Sequence, residues 1–192
     1  EFLPYTKGGM TGVIGIIKCG EGPTVAMRFD IDALGVIEDQ DDGHRPAAEG
    51  FASVNYGMMH ACGHDAHATI GLGVAKTLMA IKDQLHGTVK LIFQPAEELS
   101  PYGGSKGMLE SGHLDDVQAV YGLHVWPDLP HGKVGIKAGP LMAATDHFTI
   151  NIHGKGAHGA KPDQGIDAVV LGAQFVMNAQ TFVSRKQGLW PL

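Results

Sequence analysis

Four short apolar runs, at residues 13–17, 24–29, 89–93 and 119–125, are rich in β-branched or aromatic side chains and close on Gly, Pro or charged residues. Runs of that length and make-up read as buried strands. Between the middle two, Ile70, Val74, Leu78, Ile81 and Leu85 recur at the spacing of one helix face, which predicts a helix over 67–85. A shorter helix is expected over 104–111. Strands separated by helices imply an α/β fold with a mainly parallel sheet flanked by helices, an architecture that gathers function at the carboxyl ends of its strands.

After Pro140 the pattern changes. Phe148, Ile150 and Ile152 alternate with Thr149, Asn151 and His153, a half-exposed strand over 148–152, and a Gly-rich loop over 154–162 follows. A helix is expected over 166–184, with Val169, Ala173, Val176 or Met177, and Val183 along one side. The expected division is 1–143 and 144–192, the second part being the start of a smaller α+β unit. One strand and one helix are too little to bury a core alone.

The chain has 192 residues, 44% hydrophobic and 18% charged, which suits a globular protein with a real core. A net charge of −6 argues against a nucleic-acid partner. No apolar run approaches the roughly 20 residues that cross a bilayer, and no signal-peptide pattern is present. Glu1 stands where Met would begin a natural chain, so the natural start is expected upstream. Two cysteines cannot form a disulfide framework, and a reducing, cytoplasmic location is expected.

The 11 histidines cluster rather than scatter. The densest group is Met59-His60-Ala61-Cys62-Gly63-His64-Asp65-Ala66-His67, just before the expected helix. Imidazole and thiolate suit zinc and other first-row metals. A helix start with solvated histidines is the plainer alternative. Gln94-Pro95-Ala96-Glu97-Glu98 follows the third strand run, and adjacent carboxylates repel unless solvent or a cation relieves them. His124, in Gly122-Leu123-His124-Val125-Trp126, closes the fourth run. Each of these has an ordinary structural explanation by itself; all three at strand ends is what points to one site. Asp30 and Asp32 close another strand, and Asp32 is a candidate to orient a ligating histidine.

Five segments in order carry a resemblance: Asp30-Ile31-Asp32-Ala33-Leu34, Met59 to Asp65, Phe93 to Glu98, Gly122-Leu123-His124 and Gly154-Lys155-Gly156-Ala157-His158. Over residues 10–185 the chain resembles the metal-dependent aminoacylase-like amidohydrolases, which include hippurate, indole-acetyl-amino-acid and aminobenzoyl-glutamate hydrolases and N-acetyl-diaminopimelate deacetylases. Residues 38–40, 44–46 and 50–53 are most similar to the aminobenzoyl-glutamate branch.

The resemblance implies a zinc-exopeptidase-like catalytic domain in which Cys62, His64, Glu98 and His124 hold two divalent metal ions, Zn or Mn before Co or Ni. It implies Glu97 as the general base, His158 as a group on the substrate carbonyl, and His60 and His67 as supporting residues. The implied substrate is a small N-acyl or N-aroyl amino acid, and the implied assembly is a homodimer through the lid that begins the second unit. Relatives are longer and supply one more histidine ligand, so the chain resembles a truncated member. Nothing after Arg185 follows the family pattern, and Lys161 stands where many relatives have an apolar residue. The alternatives are a catalytically inactive metal-binding or partner-binding fragment and, less in keeping with paired glutamates, a structural zinc protein.

Overall fold

The computed structural model describes residues 2–5, 11–99 and 102–182. Two compact units are present, Glu1–Gly132 and Lys133–Leu192. The first is built on a five-stranded sheet of β1 (Phe2–Tyr5), β2 (Gly12–Lys18), β3 (Thr24–Asp30), β4 (Thr88–Gln94) and β5 (Val117–Gly122), in the order β1-β2-β4-β3-β5. All four expected strand runs are present, each within one to three residues of its expected limits. The sheet is mixed: β3 runs parallel to β4 and β5, while β2 is antiparallel to β4 and β1.

Parallel neighbours cannot be joined by a tight turn, and the crossovers carry helices α1 (Arg45–Ala48), α2 (His64–Ala80) and α3 (Gly104–Glu110). Alternation along the strands then fills both faces. Ile14, Ala26 and Ile92 pack with Met108 of α3 on one side; Ile17, Phe29 and Leu91 pack with Val74, Ala75 and Leu78 of α2 on the other. The expected helices on both faces are therefore found.

Helix α2 begins three residues before its expected start because Gly63 takes a left-handed conformation (φ 81°) that turns the chain directly into the first helical residue, His64. It ends at Ala80, and the last part of the expected span tightens into a 3-10 turn over Lys82–Gln84. The excursion from β3 to α2 is closed by the antiparallel bridge Leu34↔Met59. Inside it, the Glu38 carboxylate accepts hydrogen bonds from His44 Nε2 (2.9 Å) and the Ser53 amide (2.6 Å). These bonds hold Glu38 below the usual carboxylate range.

In the second unit, α4 (Ala168–Ala179) is capped by Asp167, whose Oδ1 accepts from the amides of Val169 (2.9 Å) and Val170 (3.1 Å). The cap sets its start two residues inside the expected span; residues 183 and 184 of that span lie outside the described residues, as does the tail from Lys186. The strand expected over 148–152 is not formed. Its alternation is real, but a strand needs a hydrogen-bonded neighbour, and among the described residues that stretch has none; the nearby Lys155↔Ile166 pair is an isolated bridge.

Gly71 marks the closest approach of α2 to the sheet, since a Cβ there would lie 2.7 Å from Phe93 Cε1 and 2.9 Å from Phe29 Cδ2. Phe29 is fully buried and has no room to give way. Gly71→Val is expected to destabilise the protein by about 2 to 3 kcal/mol through overpacking, read as a lower urea midpoint at unchanged m-value.

Candidate metal centre

Three parallel strands end side by side, and a helix starts in front of them. The register Asp30↔Gln94 and Arg28↔Gly122 keeps the ends of β3, β4 and β5 nearly level. Beyond β3 lies Asp32, beyond β4 lie Glu97 and Glu98, beyond β5 lies His124, and α2 presents His64 with Cys62 just ahead of it. The chain leaves β4 through Ala96, a non-glycine residue at φ 54°. That conformation costs about 1 to 2 kcal/mol, and the turn it makes lets the Glu98 amide donate to Asp32 Oδ2 at 2.9 Å.

Ligand atoms of Cys62, His64 and His124 all lie within 4.8 Å of one another, and so do those of His64, Glu97 and Glu98. Cys62 Sγ and His124 Nε2 are 3.5 Å apart. All five residues named as ligands or base in the first unit are thus brought to one place. His158 belongs to the second unit, where its Nδ1 accepts from the Ala160 amide at 3.1 Å.

Hydrogen bonds assign the imidazole protons. His64 Nδ1 faces only oxygen acceptors, the Asp32 carbonyl (3.1 Å) and Asp32 Oδ1 (3.2 Å), so in the neutral ring it carries the proton and Nε2 keeps the lone pair. His124 Nδ1 donates to the Val125 carbonyl at 2.6 Å, which leaves its Nε2 lone pair turned toward Cys62. His67 differs. Its Nε2 accepts from the Val125 amide at 2.8 Å and its Nδ1 donates to Asp30 Oδ1, so both nitrogens are engaged. The further grouping of Asp30, His64 and His67 is for that reason a hydrogen-bonded support and not a ligand set.

The residues present fit a divalent cation. His64 is 1% exposed and its Nε2 has no hydrogen-bond partner among the described residues. A buried lone pair without a donor is costly, and the groups around it are lone-pair donors too: Glu98 Oε1 and Asp30 Oδ1 each lie 3.8 Å away. Two imidazoles, a thiol and carboxylates make a mixed set suited to first-row metals. Burial, followed by the hydrogen bond to Glu98 and the charges of Glu98, Glu97 and Asp30, pushes the Cys62 thiol up to about 11. A nearby cation would reverse each electrostatic cause. Burial opposes the charge on Asp30, yet its hydrogen bond from His67 and the Arg28 guanidinium, 2.6 Å from Oδ2, hold it below the usual carboxylate range.

Sequence patterns assigned Asp30 no partner, because its contact with His67 spans 37 residues of chain. The usable signal is that His64 and His67 are three apart at a helix start, which places both on one buried face.

Residues 26–185 match the peptidase family M20/M25/M40. Over 164 residues the chain is 48% identical to an N-acyl-L-amino acid amidohydrolase of Geobacillus stearothermophilus, covering 85% of this chain and 42% of that one. It is 43% identical to one of the p-aminobenzoyl-glutamate hydrolase subunits of Escherichia coli, covering 98% and 43%. A dinuclear metal-binding M20 peptidase of Bacillus subtilis has a crystal structure with a TM-score of 0.64 and 45% identity, covering 74% of this chain and 37% of that chain. The chain spans about two-fifths of the length of these curated relatives. With the family match running through most of its length, including every residue of the first unit's cluster, the chain belongs to peptidase family M20/M25/M40.

Proposed function

We propose that the chain forms the metal-binding part of an amidohydrolase that cleaves the amide bond of N-acyl or N-aroyl amino acids. The observation that carries this reading is the buried His64 Nε2, without a hydrogen-bond partner among the described residues, with Cys62 and His124 grouped about it on one count and Glu97 and Glu98 on another. Cys62, His64, Glu98 and His124 are the assigned ligands of two divalent cations, Zn²⁺ or Mn²⁺ before Co²⁺ or Ni²⁺. When bound, such cations supply Lewis acidity that acidifies water and polarises an amide carbonyl. Glu97 takes the proton from the attacking water and delivers it to the leaving nitrogen. The split between adjacent glutamates is supported by Glu98 being tied through its amide to Asp32, the same carboxylate that orients His64.

His158 is assigned to the substrate carbonyl, in the lid of a homodimer. The names of the relatives support the substrate class, and the resemblance of residues 38–40, 44–46 and 50–53 to the aminobenzoyl-glutamate branch points to an aroyl substrate within it. Cys19 and Cys62 are both free, in keeping with a reducing cytoplasmic setting. Among the described residues no helix is long and apolar enough to cross a membrane.

Metal content and hydrolysis of a panel of N-acyl amino acids test the proposal together. Glu97→Gln is expected to retain metal and lose about 10²-fold or more in rate. Cys62→Ala is expected to lower metal affinity itself. A metal-loaded chain without turnover, unchanged by Glu97→Gln, would make this a metal-binding portion only.

The metal-free thiol gives a separate expectation. At pH 8 a thiol with its pKa near 11 has about 10²-fold less thiolate than one at 9.0, and the higher nucleophilicity of the more basic sulfur recovers about half of that on a logarithmic scale. In a Cys19→Ser background, iodoacetamide should modify Cys62 about tenfold more slowly than a small free thiol. A rate that levels off near pH 9 would contradict the electrostatics described for this site.

A further inference from the structure

We propose that His67 is the positioning residue for His124, acting through the backbone of Val125, with Asp30 fixing its tautomer. This rests on the metal-centre reading above. His124 lies two residues past the end of β5, so the strand ladder does not hold the peptide that follows it. Two hydrogen bonds instead tie the backbone at Val125. Its amide donates to His67 Nε2 at 2.8 Å, and its carbonyl accepts from His124 Nδ1 at 2.6 Å. His67 thus fixes the peptide before Val125 Cα and His124 Nδ1 bonds the peptide after it, so the backbone on both sides of Val125 sets the direction of His124 Nε2.

His67 can do this because it cannot turn. It is fully buried, and its ring packs edge-to-face on His124 at 4.7 Å and stacks on His64 at 5.3 Å. Its Nδ1–H is given to Asp30, whose other oxygen meets Arg28. Arg28 Nε in turn donates to Gln94 Oε1 at 2.9 Å. The chain of contacts thus starts at the end of β4, passes through the end of β3 and the first turn of α2, and finishes on the residue after His124.

Val125 also packs over Gly63. Its Cγ2 occupies the space above Gly63, 2.6 Å from where a Cβ would stand, between Cys62 and His64 in the chain. Where Val125 sits therefore governs how closely Cys62 and His124 meet. A histidine kept only as a partner for buried Asp30 would need Nδ1 alone; positioning needs Nε2 as an acceptor.

That difference supplies the test. In His67→Gln the side-chain carbonyl reaches the place of Nε2 and keeps the bond to Val125. In His67→Asn the amide reaches the place of Nδ1, keeps Asp30 and loses Val125. Wild type and variants are titrated with Co²⁺, read by its visible and sulfur charge-transfer absorption, and with Zn²⁺ by competition. His67→Gln is expected to stay within about threefold of wild type with the same spectrum, and His67→Asn to lose about 10- to 100-fold in affinity with an altered sulfur band.

Equal affinities for His67→Asn and wild type, or equal losses in both variants, would overturn the proposal. Should neither variant fold, nitrogen NMR of the wild-type imidazoles decides. His67 must keep its proton on Nδ1 and a bare, hydrogen-bonded Nε2 before and after Zn²⁺ is added, and an Nε2 that takes the metal overturns it. Wild type that binds neither Co²⁺ nor Zn²⁺ overturns the metal-centre reading and this proposal together, whereas wild type that binds with His67→Asn unchanged overturns this one alone.

Discussion

Because β3 is hydrogen-bonded in parallel to β4 on one side and to β5 on the other, three strands deliver their carboxyl ends to the same edge of the sheet. Parallel pairing forces long crossovers, and those crossovers need helices to cover the apolar faces they pass over. Helix α2 packs on Phe29 and Leu91 while its first turn comes up at the strand ends, so the same element that closes one face of the core carries His64 and His67 to the site. Core and site share a single geometric cause. The small side of Gly71 matters to both, since it sets how near the helix lies to Phe29 and Phe93.

Two residues hold the polar cluster together. Asp32 accepts from His64 through one oxygen and from the Glu98 amide through the other, joining the end of β3 to α2 and to the turn after β4. Val125 gives its amide to His67 and its carbonyl to His124, joining the end of β5 to α2. Groups linked in this way do not contribute independently, and substitutions among them should couple strongly in double-mutant cycles. The strained Ala96 turn belongs to the same network: the Glu98 amide can meet Asp32 only if the chain bends sharply after Pro95.

The strand runs were legible because β-branched residues end abruptly at chemical ones, as Val89 to Phe93 does before Gln94-Pro95-Ala96-Glu97-Glu98. The clustering of the site residues was legible for the same reason, with Glu97, Glu98 and His124 just past recognisable strands and Cys62 and His64 at the start of a recognisable helix. Direction was not: nothing in the alternation of Val13 to Ile17 says that β2 runs antiparallel to β4, or that β4 inserts between β2 and β3 although those two are close in sequence. Strand β1, Phe2–Tyr5, is only four residues long and contains Pro4, so it does not stand out; it is defined by its pairing with β2. The stretch 148–152 shows the converse, a strand pattern with no neighbour to pair with among the described residues. Asp30 and His67 meet across the fold, and only coordinates distinguish that contact from a polar turn.

The tautomers bear on how two cations could be held. His64 has a single lone pair left, at Nε2, yet it is common to the grouping with Cys62 and His124 and to the grouping with Glu97 and Glu98. One nitrogen lone pair serves one metal. On the proposed reading His64 would serve one cation only, and the other would be held by the thiol and carboxylates of the two groupings. Cys62 belongs to the grouping with His124, its sulfur 3.5 Å from His124 Nε2, and it feels the charges of Glu98 and Glu97 from the other grouping. Its burial among carboxylates, which keeps the metal-free thiol protonated, then acquires a purpose: the sulfur lone pairs become available only when a cation is there to replace the proton, so loading of the centre is tied to loss of that proton.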